Sequence, residues 1–355
     1  MLPEIESVLF IRLSSVGDIV LTEPAVAAVR EALPDARIGF AVKAAFRELV
    51  SSNPDISRVH TLDQGGLRSL VEDVRSERYS AVVDLHRNVR TARIVRSSGI
   101  PTSTAYVKRE RSDTVRVRLL HRPFRASRLL VRRYLDALVP LGIDAETRPP
   151  RLHVAPADAS AAAALLDEFG AVRGEFAVIV PGSVWPTKRW PADRFARLAS
   201  GLVSQLGLRV LLVGAGGERE LCETVERDAG EGVVNLAGRT SLGETAAVIS
   251  TARLFVGNDS GPTHMAVALG VPAVAIFGPT DPGQFDFSGH ALVYRDLACS
   301  ACSFYGGERC PLGHWDCMAG IEPAEVLRAA STLLDTGPVE GAGRRDGLGA
   351  TGRTG

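Results

Sequence analysis

The sequence is poor in uninterrupted apolar runs. Residues 260–280 carry no formal charge, but Pro262, Pro272, Pro279 and the glycines between them cut the stretch into a short helix and a strand, so no membrane span is expected. A secretory leader pattern is also lacking, since the polar opening MLPEIES runs straight into a strand pattern. With no secretion signal, the 5 cysteines argue for reduced thiols or a metal rather than disulfides, and the chain reads as cytosolic. Net charge is absent as well: 41 basic residues balance 41 acidic ones, so overall charge excludes no partner. No Asp-x-Asp pair occurs anywhere, which removes a common two-carboxylate holder for a metal.

Charge is present locally instead. Residues 87–133 hold 14 Lys and Arg against two acids, Glu110 and Asp113. Such a patch suits a polyanionic partner or, in a chain with 38 Arg and 3 Lys, a solvated arginine surface. Nucleic acid is the weaker partner, because Tyr106 and Phe124 are too sparse for a stacking platform.

At 355 residues the chain is long enough for two cores. Strand patterns at Val8–Leu13, Ile38–Val42, Val59–Leu62 and Ala81–Leu85 alternate with helix patterns at Pro24–Leu33, Leu67–Ser76 and Arg90–Ser97. Arg128–Leu141 adds another helix, and the proline-rich Asp144–Asp158 reads as a linker. The alternation resumes with strands at Phe176–Val180, Arg209–Val213, Val233–Leu236, Leu254–Gly257 and Ala273–Phe277. Helix patterns at Ala192–Leu206, Glu218–Asp228, Leu242–Ser250 and Thr263–Leu269 fall between them. The expected class is α/β: two Rossmann-like domains, residues 1–150 and 151–336, with parallel sheets facing across a cleft. A last helix, Pro323–Leu334, is expected to return to the first domain. The Gly/Arg-rich stretch 337–355 reads as a disordered tail.

Chemistry concentrates where strands end. Val256–Pro282 reads VGNDSGPTHMAVALGVPAVAIFGPTDP: a strand, a polar turn, a helix, a second strand and a second polar turn. Asp259, Ser260 and Gly261 stand at the helix start and His264 in its first turn. Unpaired N–H groups and the helix dipole favour phosphate there. Polar turns at strand ends are where open α/β sheets bind ligands, although an ordinary capped helix has the same pattern. Asp18 follows Ser14, Ser15 and Gly17 after the first strand; alone it reads as a turn residue. Gly214-Ala215-Gly216-Gly217 has Arg219 where a dinucleotide fingerprint needs its third glycine, which argues against NAD.

These strings, in this order, resemble those of the lipopolysaccharide heptosyltransferases, glycosyltransferase family 9. Val256–Pro282 is similar to the family's donor signature, Ile11–Pro24 to its acceptor-side catalytic loop, and Pro181–Pro191 to its phosphate loop. The resemblance implies a GT-B fold, ADP-heptose as donor and an anionic Kdo/heptose–lipid A acceptor. It implies Asp18 as the base of an inverting transfer, with Ser14, Ser15, Gly17, Arg87 and Arg90 on the acceptor side. On the donor side it implies Ser183 and Lys188 at the phosphates, Glu218 at the nucleoside, and Asp259, Ser260, Gly261 and His264 at the helix turn. No catalytic cofactor is expected. Cys299, Cys302, Cys310 and Cys317, spaced C-x2-C-x7-C-x6-C, are similar to a cysteine cluster in part of the family. They are read as a structural zinc site, with His314 as a substitute ligand and an iron–sulfur cluster, free thiols or two labile disulfides as the alternatives. An anionic acceptor also implies peripheral contact with the cytoplasmic face of the inner membrane. A transferase of another nucleotide sugar and an NAD-dependent oxidoreductase remain as alternatives.

Overall fold

The computed structural model describes residues 5–108, 117 and 123–336. The expected tail 337–355 and part of the basic stretch 87–133 lie outside the described residues. Five parallel strands, β1 (Ser7–Ile11), β2 (Arg37–Lys43), β3 (Arg58–Leu62), β4 (Ala81–Asp84) and β5 (Thr102–Ala105), form one sheet in the order β3-β2-β1-β4-β5. A second parallel sheet contains β6 (Phe176–Val180), β7 (Arg209–Leu212), β8 (Val233–Asn235), β9 (Leu254–Asn258), β10 (Ala273–Phe277) and β11 (Ala291–Tyr294), ordered β11-β10-β9-β6-β7-β8.

The central strands β1, β4, β6, β9 and β10 are buried along their whole length, as parallel sheets covered on both faces require. Their alternate residues feed different layers. Val8 and Phe10 join a core that also takes in Phe176 and Val178 of the second sheet, while Leu9 and Ile11 face a separate layer with Val74 and Ile94. One apolar layer thus continues from one sheet to the other. Both sheets reverse strand order once, between β1 and β4 and between β6 and β9, and ligands bind outside the carboxyl ends of strands at such points.

Five elements differ from the sequence reading. A short helix, Val16–Val20, follows β1 directly, so Asp18 is its third residue rather than part of an open turn. The expected linker gives way at Pro156 to a helix, Pro156–Glu168, whose alanine-rich sequence carries little apolar periodicity. Edge strands β5 and β11 escaped notice because they are short and half exposed. The last helix, Pro323–Thr336, packs on the second sheet and not on the first domain. Its stripe Val326, Ala330 and Leu333 completes a core with Trp190, Phe195 and Leu202, and Leu327 fits over Gly201, where a Cβ would come within 2.9 Å of it.

Candidate active site

A cavity of about 590 Å³ lies between the carboxyl ends of the two sheets. On the first sheet's side, Ser15 caps the helix Val16–Val20, and Asp18 reaches back to the Ser15 N–H (3.4 Å) and hydroxyl (3.0 Å). Arg12, buried at the end of β1, donates from Nε to the Ser14 carbonyl (2.8 Å) and from Nη1 to the Leu85 carbonyl (2.5 Å). Its Nη2 meets Asp18 Oδ2 at 2.6 Å. All these donors fall on Oδ2, and Asp18 lines the cavity. Desolvation works against the Asp18 charge, but the Arg12 guanidinium and the Ser15 hydrogen bonds outweigh it and hold the carboxyl below its ordinary range.

On the second sheet's side, the loop after β6 and the turn after β9 meet at the reversal point. Asn258, fully buried, accepts from the Trp190 N–H (3.0 Å) and donates to the Pro181 carbonyl (2.8 Å), tying the two together. Lys188 Nζ then lies 2.6 Å from Asp259 Oδ2, to which the Thr280 hydroxyl also donates at 2.6 Å. His264 Nε2 stands 3.7 Å from Asp259 Oδ1. Burial opposes the Asp259 charge, yet Lys188 and His264 keep its carboxyl well below the usual carboxylate range. The Ser260 hydroxyl, at the cap of the helix Gly261–Ala268, is buried without a hydrogen-bond partner among the described residues, and Ser260 lines the cavity. Glu218 folds over Gly182, where any Cβ would come within 1.9 Å of Oε1, and its Oε2 accepts from the Ala215 N–H at 2.9 Å.

Two glycines bring the halves together. A Cβ on Gly17 would lie 2.6 Å from His264 Cδ2, and one on Gly261 would lie 2.5 Å from Val16 Cβ. The helices Val16–Val20 and Gly261–Ala268 therefore touch where both lack side chains. Gly17, which the resemblance puts on the acceptor side, has the His264 ring as its immediate neighbour.

Ser15, Gly17 and Asp18 share the cavity with all seven donor-side candidates, Ser183, Lys188, Glu218, Asp259, Ser260, Gly261 and His264. The remaining three acceptor-side candidates separate. Ser14 and Arg90 line a second, shallower depression, and Arg87 is exposed and donates to the Tyr106 carbonyl at 3.1 Å. Arg12, Asn258 and Thr280 escaped sequence reasoning, although an Arg or Asn at the end of an otherwise apolar strand was a usable signal.

Cys299, Cys302 and Cys310 are half buried, Cys317 is buried, and all are free thiols. Cys299 Sγ lies 3.7 Å from His314 Nε2, but among the described residues no three His, Cys, Asp or Glu groups are placed to hold a metal ion. What this loop does hold is Thr187: its N–H donates to the Gly307 carbonyl (3.1 Å), its hydroxyl accepts from the Gly307 N–H (2.8 Å), and its carbonyl accepts from Trp315 Nε1 (2.9 Å). The loop thus braces the residue beside Lys188.

The model of glycosyltransferase family 9 (heptosyltransferase) matches residues 67–303. The chain belongs to this family. This family-9 transferase is 36% identical over 162 residues to lipooligosaccharide heptosyltransferase 2 of Campylobacter jejuni, an alignment covering 43% of the chain and only 49% of that relative. It is 29% identical over 349 residues to lipopolysaccharide heptosyltransferase 2 of Escherichia coli, covering 92% of the chain and 98% of that protein. Among solved structures, a glycosyltransferase family 9 protein from Veillonella parvula superposes with a TM-score of 0.79 at 23% identity, covering 93% of this chain and 98% of that one. The E. coli ADP-heptose LPS heptosyltransferase II structure gives 0.72 at 23% identity, covering 93% and 99%. The two parallel sheets and the cleft between them are the GT-B arrangement of these proteins.

Proposed function

We propose that this glycosyltransferase moves heptose from ADP-heptose to the inner core of lipopolysaccharide, with inversion and without a catalytic metal. The observation that carries this reading is the convergence, in one cleft, of a carboxylate from the first sheet with a cation and a helix N-terminus from the second. The acceptor hydroxyl attacks the anomeric carbon from the face opposite the diphosphate. Its proton passes to Asp18 Oδ1 as the new C–O bond forms. The bond from carbon to phosphate oxygen breaks and ADP leaves with the electron pair. Lys188, the Ser260 hydroxyl and the N–H groups at Gly261 meet the charge that develops. Glu218, held over Gly182, faces the nucleoside.

Metal independence is supported by what the acids already hold. Asp18 is committed to Arg12, Asp259 to Lys188, and Glu218 to a backbone N–H. The zinc reading of the cysteine loop is kept as a structural proposal, apart from catalysis. No helix among the described residues is long and apolar enough to cross a membrane. The place of work proposed is the cytoplasmic face of the inner membrane, reached peripherally. The test is transfer measured against a panel of nucleotide sugars with and without chelator. ADP-heptose turnover unaffected by chelator supports the reading, and a strict Mg²⁺ or Mn²⁺ requirement contradicts its metal-free part.

A further inference from the structure

A short segment of the first domain, residues 124–126, crosses to the second. It precedes the helix Leu130–Leu135, whose Val131, Tyr134 and Leu135 lie in the same core as Val8 and Phe10 of β1. The Phe124 N–H donates to the Ala301 carbonyl at 2.9 Å. Its buried ring meets the Phe304 ring edge to face, with centroids 5.0 Å apart. Arg125 donates to the Tyr294 hydroxyl at 3.0 Å and pairs with Asp296. The Ala126 N–H donates to Asp281 Oδ2 at 2.6 Å.

Both ends of this segment reach the active site. Asp281 is buried and follows Thr280, whose hydroxyl is bonded to Asp259 Oδ2, the oxygen that also meets Lys188. Asp281 Oδ1 accepts from the Gly283 N–H at 3.1 Å, so one carboxylate ties its own turn to the crossing segment. At the other end, the Tyr134 ring packs edge to face on Tyr106 at 5.1 Å, and the Arg12 guanidinium stands 5.8 Å from the Tyr134 centroid. Arg12 in turn holds Asp18. Packed and hydrogen-bonded groups thus run without a break from Lys188 through Asp259, Thr280 and Asp281 to Arg12 and Asp18. None of Phe124, Arg125 and Ala126 lines the cavity.

We propose that residues 124–126 are a strap that docks on the Thr280–Asp281 turn when the donor site fills, and so sets the Arg12–Asp18 pair for the acceptor hydroxyl. This rests on the transferase reading above, in which a diphosphate sits at Lys188. A diphosphate that draws on Lys188 leaves Thr280 as the remaining short hydrogen bond on Asp259 Oδ2, which fixes the turn carrying Asp281. Docked and released are the two states of the strap, and a ligand that favours one of them shifts the population. Arg125 acts through the turn as a positioning residue.

The test is amide hydrogen exchange of the full chain at Phe124 and Ala126, with and without ADP, beside ADP titration and steady-state transfer. ADP should slow exchange at both amides about tenfold, within the usual range of coupling between sites. Coupling is reciprocal, so Arg125→Ala should raise the ADP Kd by no more than that factor, lower kcat and lose the protection. Its unfolding midpoint should match that of the wild type, since Arg125 is half-exposed. Arg125→Lys keeps the charge beside Asp296 and should recover part of each effect. Exchange that ADP leaves unchanged in the wild type, or wild-type Kd and kcat in Arg125→Ala, overturns the strap. If the wild type binds no ADP at all, the donor reading fails instead.

Discussion

Arg12 and Asp18 meet at 2.6 Å on one carboxylate oxygen, and the same guanidinium is fixed by the carbonyls of Ser14 and Leu85. The contact fixes one carboxylate oxygen, and it keeps the group ionised at a site where burial alone would favour the neutral acid. An oriented, ionised carboxylate of low basicity accepts a proton best from a hydroxyl whose oxygen is already bonding to carbon. In the mechanism proposed above, Arg12 acts through Asp18 as a positioning residue.

Asp18→Asn should leave folding and ADP affinity nearly intact and lower kcat about 10²–10⁴-fold, the usual worth of a positioned base. Single-turnover transfer alongside ADP titration checks it, and near-normal turnover removes Asp18 from the mechanism.

Replacing Arg12 should move a pH profile. The folded-state carboxyl of Asp18 lies below its ordinary value of about 3.9, so the wild-type enzyme keeps its base ionised down to and below that pH. In Arg12→Met, burial acts unopposed by the guanidinium, the carboxyl rises, and the acidic limb of kcat shifts to higher pH. Arg12→Lys should restore part of the shift. A purely structural arginine would lower activity at every pH without moving the limb.

Lys188→Ala should weaken ADP binding and transfer together. It also takes from the buried Asp259 its lysine partner, at a cost of about 3–5 kcal/mol in denaturant unfolding. Adding Asp259→Asn should recover most of the stability and none of the ADP affinity. Full affinity in the double variant would show that Lys188 serves folding alone.

Gly261→Ala sets a Cβ 2.5 Å from Val16 Cβ, where neither helix has room. We expect a loss of about 1–3 kcal/mol, typical of overpacking, and a fall in kcat larger than the change in ADP affinity. Equal losses in both would locate the effect in the donor site instead of the contact between the halves.

Metal analysis tests the cysteine loop. About one zinc per chain with the four thiols protected supports the structural site, and metal-free protein with four titratable thiols leaves a brace made by Gly307 and Trp315 alone. In either state Thr187→Val, which deletes the hydroxyl's pairing with Gly307, should raise the ADP Kd.

The sequence by itself determined the α/β alternation, most of the strands, the polar turns after them and the candidates within those turns. Those are local matters: an apolar run of five residues, a small-residue turn and a capped helix carry their own signal over a few positions. Only the tertiary structure decided which turns meet. Asp259 finds Lys188 across 71 residues of chain because β6 and β9 pair at the reversal of the second sheet, and Lys43 comes beside Ser14 because β1 pairs with β2. The same long-range pairing set Arg90 on a different depression from Asp18, and put the last helix on the second sheet, where its apolar stripe had a partner. Strand order depends on burying both faces of each sheet at once, and no window of neighbouring residues contains that condition.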